Sequence, residues 1–458
     1  MITKRDLENI LGEALASGGD FAEIFLERRR TSTIGLEAMR VEKVHSGLDQ
    51  GAGIRLLAGE SSIYVYTNDI SIPGLMKAAA DAGTALKQEC RHREALTFDV
   101  EETTGSKLST CGIDIDSTVE LVQAADKEAR SAGNKIRQVI VRYGNVTQDV
   151  QIANSLGKIV TDCRNRTTMI VHVVAAEGSV VQTGYESLGT YGDKSVFTRE
   201  TAQELAAMSA RRALMLLKAK PAPAGRMAVV LAGEAGGTMI HEACGHGLEA
   251  DIVGKEMSVY AGKMDQRVAS ELVTVVDDPT LPGKYGSYAY DDEGTLAQKT
   301  VLIRNGVLES YMYDLEWARR QGSQSTGNGR RQSFQFRPIP RMSNTYLASG
   351  QTQPEEIIAR TNHGLLVKRM GGGQVNPTTG DFVFDVGEGY LIEKGEVTYP
   401  IRGATLSGNG PRVLLTVDMV GTDLGFGIGT CGKDGQGVPV SDAQPTIRIP
   451  ELVVGGLL

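Results

Sequence analysis

The chain has 458 residues, of which 23% are charged and 41% hydrophobic, and its formal net charge is −8. That length allows two or three domains of ordinary size, each able to bury a core. The mild acidity, with no long basic run, argues against nucleic acid as the main partner, because phosphate binding wants a concentrated Lys/Arg surface.

The opening residues, MITKRDLENILGEALASGGD, read as an amphipathic helix with charges throughout rather than as a signal peptide. No stretch approaches the roughly 18 apolar residues of a membrane span. Five cysteines (Cys90, Cys111, Cys163, Cys244 and Cys431) are too few and too scattered for a disulfide framework. A cytoplasmic location is expected.

β-like runs follow the first helix: Phe21 to Arg29, Ser32 to Ala38, and Gly53 to Tyr66. Within SSIYVYT, alternation puts Ile63 and Val65 on one face and Tyr64 and Tyr66 on the other. Helices are expected over Pro73 to Gln88 and Asp116 to Ala132. A second β block covers Lys135 to Ala153, Arg166 to Ala176 and Ser179 to Tyr185. Thr198 to Ala219 reads as an amphipathic helix, with Ala202, Leu205, Ala206, Ala213, Leu216 and Leu217 on one stripe.

That helix runs into Lys218-Ala-Lys-Pro-Ala-Pro-Ala-Gly225, where two prolines block helix continuation. Composition changes after it: 19 of the 55 glycines lie in residues 1–220 and 36 beyond. They are interleaved with Val, Ile, Leu and Tyr, as turns between strands would be. The expected fold is α+β in two domains. Residues 1–220 form a mixed domain with antiparallel strands, and residues 225–458 a β-rich domain carrying a metal-site helix.

The densest chemical text is His241-Glu242-Ala-Cys-Gly-His246-Gly-Leu-Glu-Ala-Asp251, after a strand (Met227 to Leu231) and a Gly-rich turn. In H-E-x-x-H, histidines four apart share one helix face and reach one metal. Here the spacing is five, and on an ideal helix the two side chains lie about 140° apart. A π-bulge, or a break near Gly245, must bring them together. The chemistry suggested is metal-assisted hydrolysis of a peptide bond. Zinc takes three protein ligands and one water, and Glu242 takes the water's proton and passes it to the leaving amine. Glu249, Asp251, His363 and Cys431 compete for the third ligand position. Cys244 as a nucleophile would leave Glu242 without a task.

This text resembles the TldD branch of the TldD/PmbA metallopeptidase family. The likeness extends to Ser325-Thr-Gly-Asn-Gly-Arg-Arg-Gln332, to Arg337-Pro338 through Arg341-Met-Ser-Asn344-Thr345, and to Gly429-Thr-Cys431-Gly-Lys-Asp-Gly-Gln436. The resemblance implies Zn²⁺ on His241, His246 and Cys431, with Glu242 as base. It also implies a dimer, either with itself or with a sister chain lacking the metal motif, whose enclosed cavity admits unfolded or short peptides. Leader-peptide trimming and degradation of flexible proteins are the implied activities. A non-catalytic alternative, with a structural metal and a role in modulating DNA gyrase, has also been linked to the family. Amide chemistry other than hydrolysis during peptide maturation is a third possibility. An extended peptide could add as a strand to a sheet edge. The Arg-rich, Gly-flanked Asn328 to Asn344 segment could hold a carboxylate, line such a groove, or serve as a structural loop with salt bridges.

Overall fold

The structure is a computed structural model describing residues 2–86, 101–104 and 114–456. Cys90, Cys111 and the end of the second expected helix lie outside the described residues. The architecture is α+β.

Residues 21–191 supply a seven-stranded sheet. Its strands are long because pairing with neighbours on both sides carries them through the charged interruptions. Phe21–Glu37 is one strand of 17 residues where two short ones were expected, and Lys158–Glu177 extends eight residues before the expected start. The Arg28-Arg-Arg-Thr-Ser stretch does not break the strand, since it pairs on both sides, with Arg40–Ala58 and Ile136–Asn154.

Two helix pairs cover the sheet. Lys4–Ala14 and Ile72–Ala85 bury Leu7, Ile10, Leu11, Leu75 and Ala79 against Ile24, Ile54 and Leu56. Ile63 and Val65 join this cluster, whereas the Tyr64 hydroxyl, on the other face, donates to the Phe334 carbonyl at 2.7 Å. Ile115–Ser131 and Arg199–Lys218 pack on Val139, Val141, Val171 and Val173. Ser209 lies buried in the apolar stripe because its hydroxyl donates to the Val171 carbonyl at 3.0 Å, which meets its hydrogen-bonding need.

After the double-proline segment the elements shorten, and the longest helix among the described residues beyond 220 has seven residues (Gly410–Thr416). Five strands, His363–Val375, Gly225–Leu231, Ile447–Gly455, Thr405–Asn409 and Asp381–Glu393, pair in that order, and the last pairs back with the first. The ring is closed, so these strands leave no free edge within it. A six-stranded sheet lies beside it, with Gln436–Gln444 next to its terminal strand, Gly425–Lys433.

The seven-stranded sheet meets the later half through buried charge. Arg55 pairs with Glu23 and Glu293. Arg331 reaches Glu23 at 2.6 Å, and Arg164 pairs with Asp162 and Asp292. Each of these arginines is at most 5% exposed. Buried pairs of this kind are costly to break one partner at a time, and they hold the 285–334 segment against the sheet.

Candidate metal centre

The strand Gly225–Leu231 delivers the chain to a tight turn. Gly236 has φ of +75°, and a Cβ on Gly237 would meet the Ala443 backbone nitrogen at 2.1 Å. The motif then passes through three helical geometries in eleven residues. Thr238–Ile240 is an α turn, His241–Gly245 a π turn and His246–Leu248 a 3₁₀ turn. The His246 N–H donates to the His241 carbonyl, the i→i+5 bond of a π-helix. The extra residue is therefore taken up by a wider turn, which was one of the two ways the spacing allowed. Gly245 keeps an ordinary right-handed φ of −52°. Its glycine is needed for space, since a Cβ there would meet Met342 Sδ at 2.2 Å.

Widening the turn puts both rings on one side. Their centroids are 5.0 Å apart and nearly perpendicular. Cys431, on the terminal strand Gly425–Lys433, comes to them from 185 residues away, with Sγ 3.5 Å from His246 Nε2. The ligand atoms of His241, His246 and Cys431 all lie within 4.8 Å of one another. Of the other candidates, His363 is exposed at the start of its strand, outside this cluster. Glu249 and Asp251 are buried but face other partners.

Those partners were not anticipated. Glu249 Oε2 lies 3.1 Å from His246 Nδ1 and 3.0 Å from Lys433 Nζ. Lys433 also reaches Asp251 at 2.6 Å. Burial pushes the Glu249 carboxyl up, but Lys433 and His246 outweigh it and hold it down at about 2. Asp442 Oδ2 is 3.9 Å from His241 Nδ1, a buried nitrogen with no hydrogen-bond partner. Arg341, fully buried, donates to the Cys431 and Gln436 carbonyls and so fixes the hairpin. The one available signal was spacing: Glu249 is three residues from His246, and Lys433 two from Cys431.

The electrostatics separate the two motif cysteines. Burial alone lifts the Cys244 thiol to about 12, and its Sγ donates to the Ile240 carbonyl. Burial also works against ionisation of Cys431, but His241 and His246 beside it bring its thiol down to about 4. A thiolate is the metal-binding form. Glu242 is half-buried, and burial raises its carboxyl above the usual range despite the two nearby imidazoles.

Glu242, both histidines and Cys431 line a cavity of about 490 Å³, whose far wall is Gly373–Val375. A second cavity of about 540 Å³ shares Thr238, Ile428 and Asp442 with it. Together they form a cleft along the Phe426–Gly432 run of the terminal strand. The Asn328 to Asn344 segment stands outside this cleft as buried support: Asn328 donates to Asp277, and Arg330 to the Met342 and Pro439 carbonyls.

Comparison with known proteins places the chain among metallopeptidases. Three stretches match the PmbA/TldA metallopeptidase domains: domain 1 over residues 22–86, the central domain over 111–217 and the C-terminal domain over 224–456. A metalloprotease TldD homolog of Haemophilus influenzae is 36% identical over 448 residues, covering 95% of this chain and 93% of that one. A metalloprotease of Methanocaldococcus jannaschii is 36% identical over 450 residues, covering 97% and 98%. The chain belongs to the TldD/PmbA family of metallopeptidases. Among solved structures, TldE from Thermococcus kodakarensis superposes with a TM-score of 0.77 at 20% identity, covering 98% of this chain and all of that one. A Thermotoga maritima protein, named as a proposed modulator of a DNA gyrase, gives 0.79 at 19% identity, covering 99% and 100%. These two likenesses concern the fold.

Proposed function

We propose that the chain is a zinc-dependent peptidase acting on unfolded or short peptides, with His241, His246 and Cys431 as zinc ligands and Glu242 as general base. The observation that carries this reading is the convergence of two imidazoles and a thiol at one point of a cleft that Glu242 also lines. Two nitrogens and a thiolate suit a borderline-soft ion such as Zn²⁺. Tetrahedral zinc, with bonds of about 2.0 Å to nitrogen and 2.3 Å to sulfur, separates such donors by about 3.5 Å. His246 Nε2 and Cys431 Sγ have that separation. Bound there, the ion supplies a Lewis acid for the scissile carbonyl and lowers the pKa of water to about 7.

The chain's own residues do the rest. Glu249 accepts a hydrogen bond from His246 Nδ1, which leaves Nε2 as the ligating atom. Asp442 lies 3.9 Å from His241 Nδ1, beyond hydrogen-bond distance, and adds a negative charge on that side of the ring. Glu242 accepts the proton of the attacking water and delivers it to the departing amine. An extended peptide would lie along the terminal strand Gly425–Lys433, whose small side chains let another backbone approach. Such binding reads the main chain and tolerates varied side chains. That suits trimming of leader peptides or degradation of flexible proteins in the cytoplasm.

We further propose that the working form is a dimer, with itself or with a metal-free sister chain. A purely structural metal would take a fourth protein ligand, whereas the cluster among the described residues has three members. The test is metal analysis of the purified chain together with cleavage of an unstructured peptide. Glu242→Gln should keep its zinc and lose cleavage. Full cleavage by that variant would remove Glu242 from the mechanism.

A further inference from the structure

On the other side of the Cys431 strand, where the seven-stranded sheet meets the later half, lies a separate cavity of about 130 Å³. Thr430 lines both this cavity and the metal-site cleft. Its walls carry five arginines, Arg29, Arg164, Arg166, Arg330 and Arg331, against two aspartates, Asp291 and Asp292.

Two of the arginines have their counter-charges. Arg164 is paired with Asp162 and Asp292, and Arg331 with Glu23, besides donating to the Asp292 carbonyl. Among the described residues the other three have no ion pair and donate hydrogen bonds only to carbonyls, although Arg166 lies over the Tyr191 ring, Arg330 over the Tyr288 ring, and Asp292 and Asp277 act on Arg330 from beyond ion-pair distance. Arg166, 9% exposed, donates to Tyr285 at 2.9 Å and Ser287 at 2.8 Å. Arg330, 4% exposed, donates to Met342 and to Pro439 at 2.7 Å. Arg29 donates to Gln332 at 3.5 Å. Asp291 cannot serve them, because it is turned to the backbone N–H groups of Glu293, Thr295 and Gly329. Taking a guanidinium from water without a counter-charge is costly. Burial, and then the nearness of Arg330, bring Arg166 down to about 10, and burial also lowers Arg330. Arg55 and Arg164, by contrast, are shifted upward by their carboxylates despite burial, and Arg331 by Tyr64 and then Glu23 and Asp292.

We propose that this cavity binds an oxyanion, either a phosphate ion or a carboxylate group, between Arg29, Arg166 and Arg330. The planar guanidinium fork matches such oxygens, and the volume equals that of about four waters in the liquid. The ligand comes from one of two sources: a free ion, or the terminal carboxylate of a peptide reaching past Thr430.

The test reads binding and not turnover, so it stands whether or not the cleft cleaves peptides. The full-length chain is titrated calorimetrically with sodium phosphate in an oxyanion-free buffer, with sodium chloride of matched ionic strength as control. A short peptide with a free C-terminal carboxylate, and the same peptide amidated, are the other ligands. Arg29→Gln and Arg166→Met are titrated in parallel. Arg29 is only half-buried at the rim, so its variant reports even where loss of Arg166 prevents folding. Saturable phosphate binding, weakened about tenfold in the variants, is the expected result. Equal binding of the two peptides then identifies a free ion. Loss of about tenfold on amidation, with phosphate competing, identifies the peptide terminus. Absence of saturable binding by phosphate and by the free-carboxylate peptide, or binding unchanged in the variants, overturns the proposal.

Discussion

Lys433 Nζ lies 3.0 Å from Glu249 Oε2, the same oxygen that faces His246 Nδ1. One carboxylate oxygen thus joins the segment carrying the histidines to the strand carrying Cys431. Lys433 is 9% exposed and Glu249 fully buried, so solvent weakens the link little. Replacing Lys433 with Met should leave Glu249 and Asp251 without their shared cation and loosen the approach of Cys431 to the histidines. Metal affinity, measured by competition with a chromogenic chelator, should fall about 10- to 100-fold. Glu249→Gln keeps the shape and should lose less. Wild-type affinity in Lys433→Met would show that the strand holds its place without the link.

The π turn rests on the contact between Gly245 and Met342. Gly245→Ala should destabilise the chain by about 1–3 kcal/mol through overpacking, read as a lower midpoint in urea unfolding. Met342→Ala in the same chain should recover part of the loss, because the clashing sulfur is gone. If the double variant is no better than the single one, the constraint lies in the backbone and not in this contact.

The two motif cysteines should behave differently. Cys244→Ala should retain metal and peptide cleavage, its thiol being buried and held un-ionised. Cys431→Ser should lose most of its metal, since a hydroxyl remains protonated near neutrality. Metal content by mass spectrometry, with a circular-dichroism check of folding, reads both. Equal metal loss in the two variants would point to a packing defect.

Asp292 gives a prediction in pH. Burial opposes its ionisation, but Arg164 and Arg331 hold its carboxyl below the ordinary 3.8. A depressed folded value stabilises the native state above the unfolded value, and the gain is lost as pH falls through the folded one. Asp292→Asn should therefore cost about 3 kcal/mol at neutral pH. The gap to wild type should stay level from about pH 5 to 8 and close below about pH 4. A gap that widens on acidification would contradict the pairing.

The α+β character, the amphipathic helices and the break after Lys218 were legible because each rests on local periodicity or on proline. The need for a distorted helix was legible for the same reason, since a five-residue spacing leaves few geometries. Strand lengths were not. Arg30-Thr31 reads as an interruption until two neighbours pair with it. Apart from the local contact of Glu249 with His246, the partners of Glu249, Lys433, Asp442 and Arg341 were hidden because their contacts span from 90 to 201 residues. Nothing in a single sequence orders such distant pairs, apart from the resemblance that pointed to Cys431. The Arg-rich segment showed the limit in another way. Its composition allowed a carboxylate site, a groove or a brace, and burial against Asp277 and Glu23 shows the bracing part of Asn328 and Arg331 alone.

The charge contacts between the seven-stranded sheet and residues 285–334 bear on how this chain could be recombined. Glu23 and Arg55 come from one half, and Glu293 and Arg331 from the other, all sealed from water. A chimera that takes its first 220 residues from a relative inherits half of each pair. Unless the incoming half brings an acid and a base at those same places, the splice buries orphan charge. Exchange between relatives should therefore succeed as whole chains, or as matched sets of these four positions together with Arg164 and Asp292, and fail at the proline-rich junction that looks, on composition alone, like the natural place to cut.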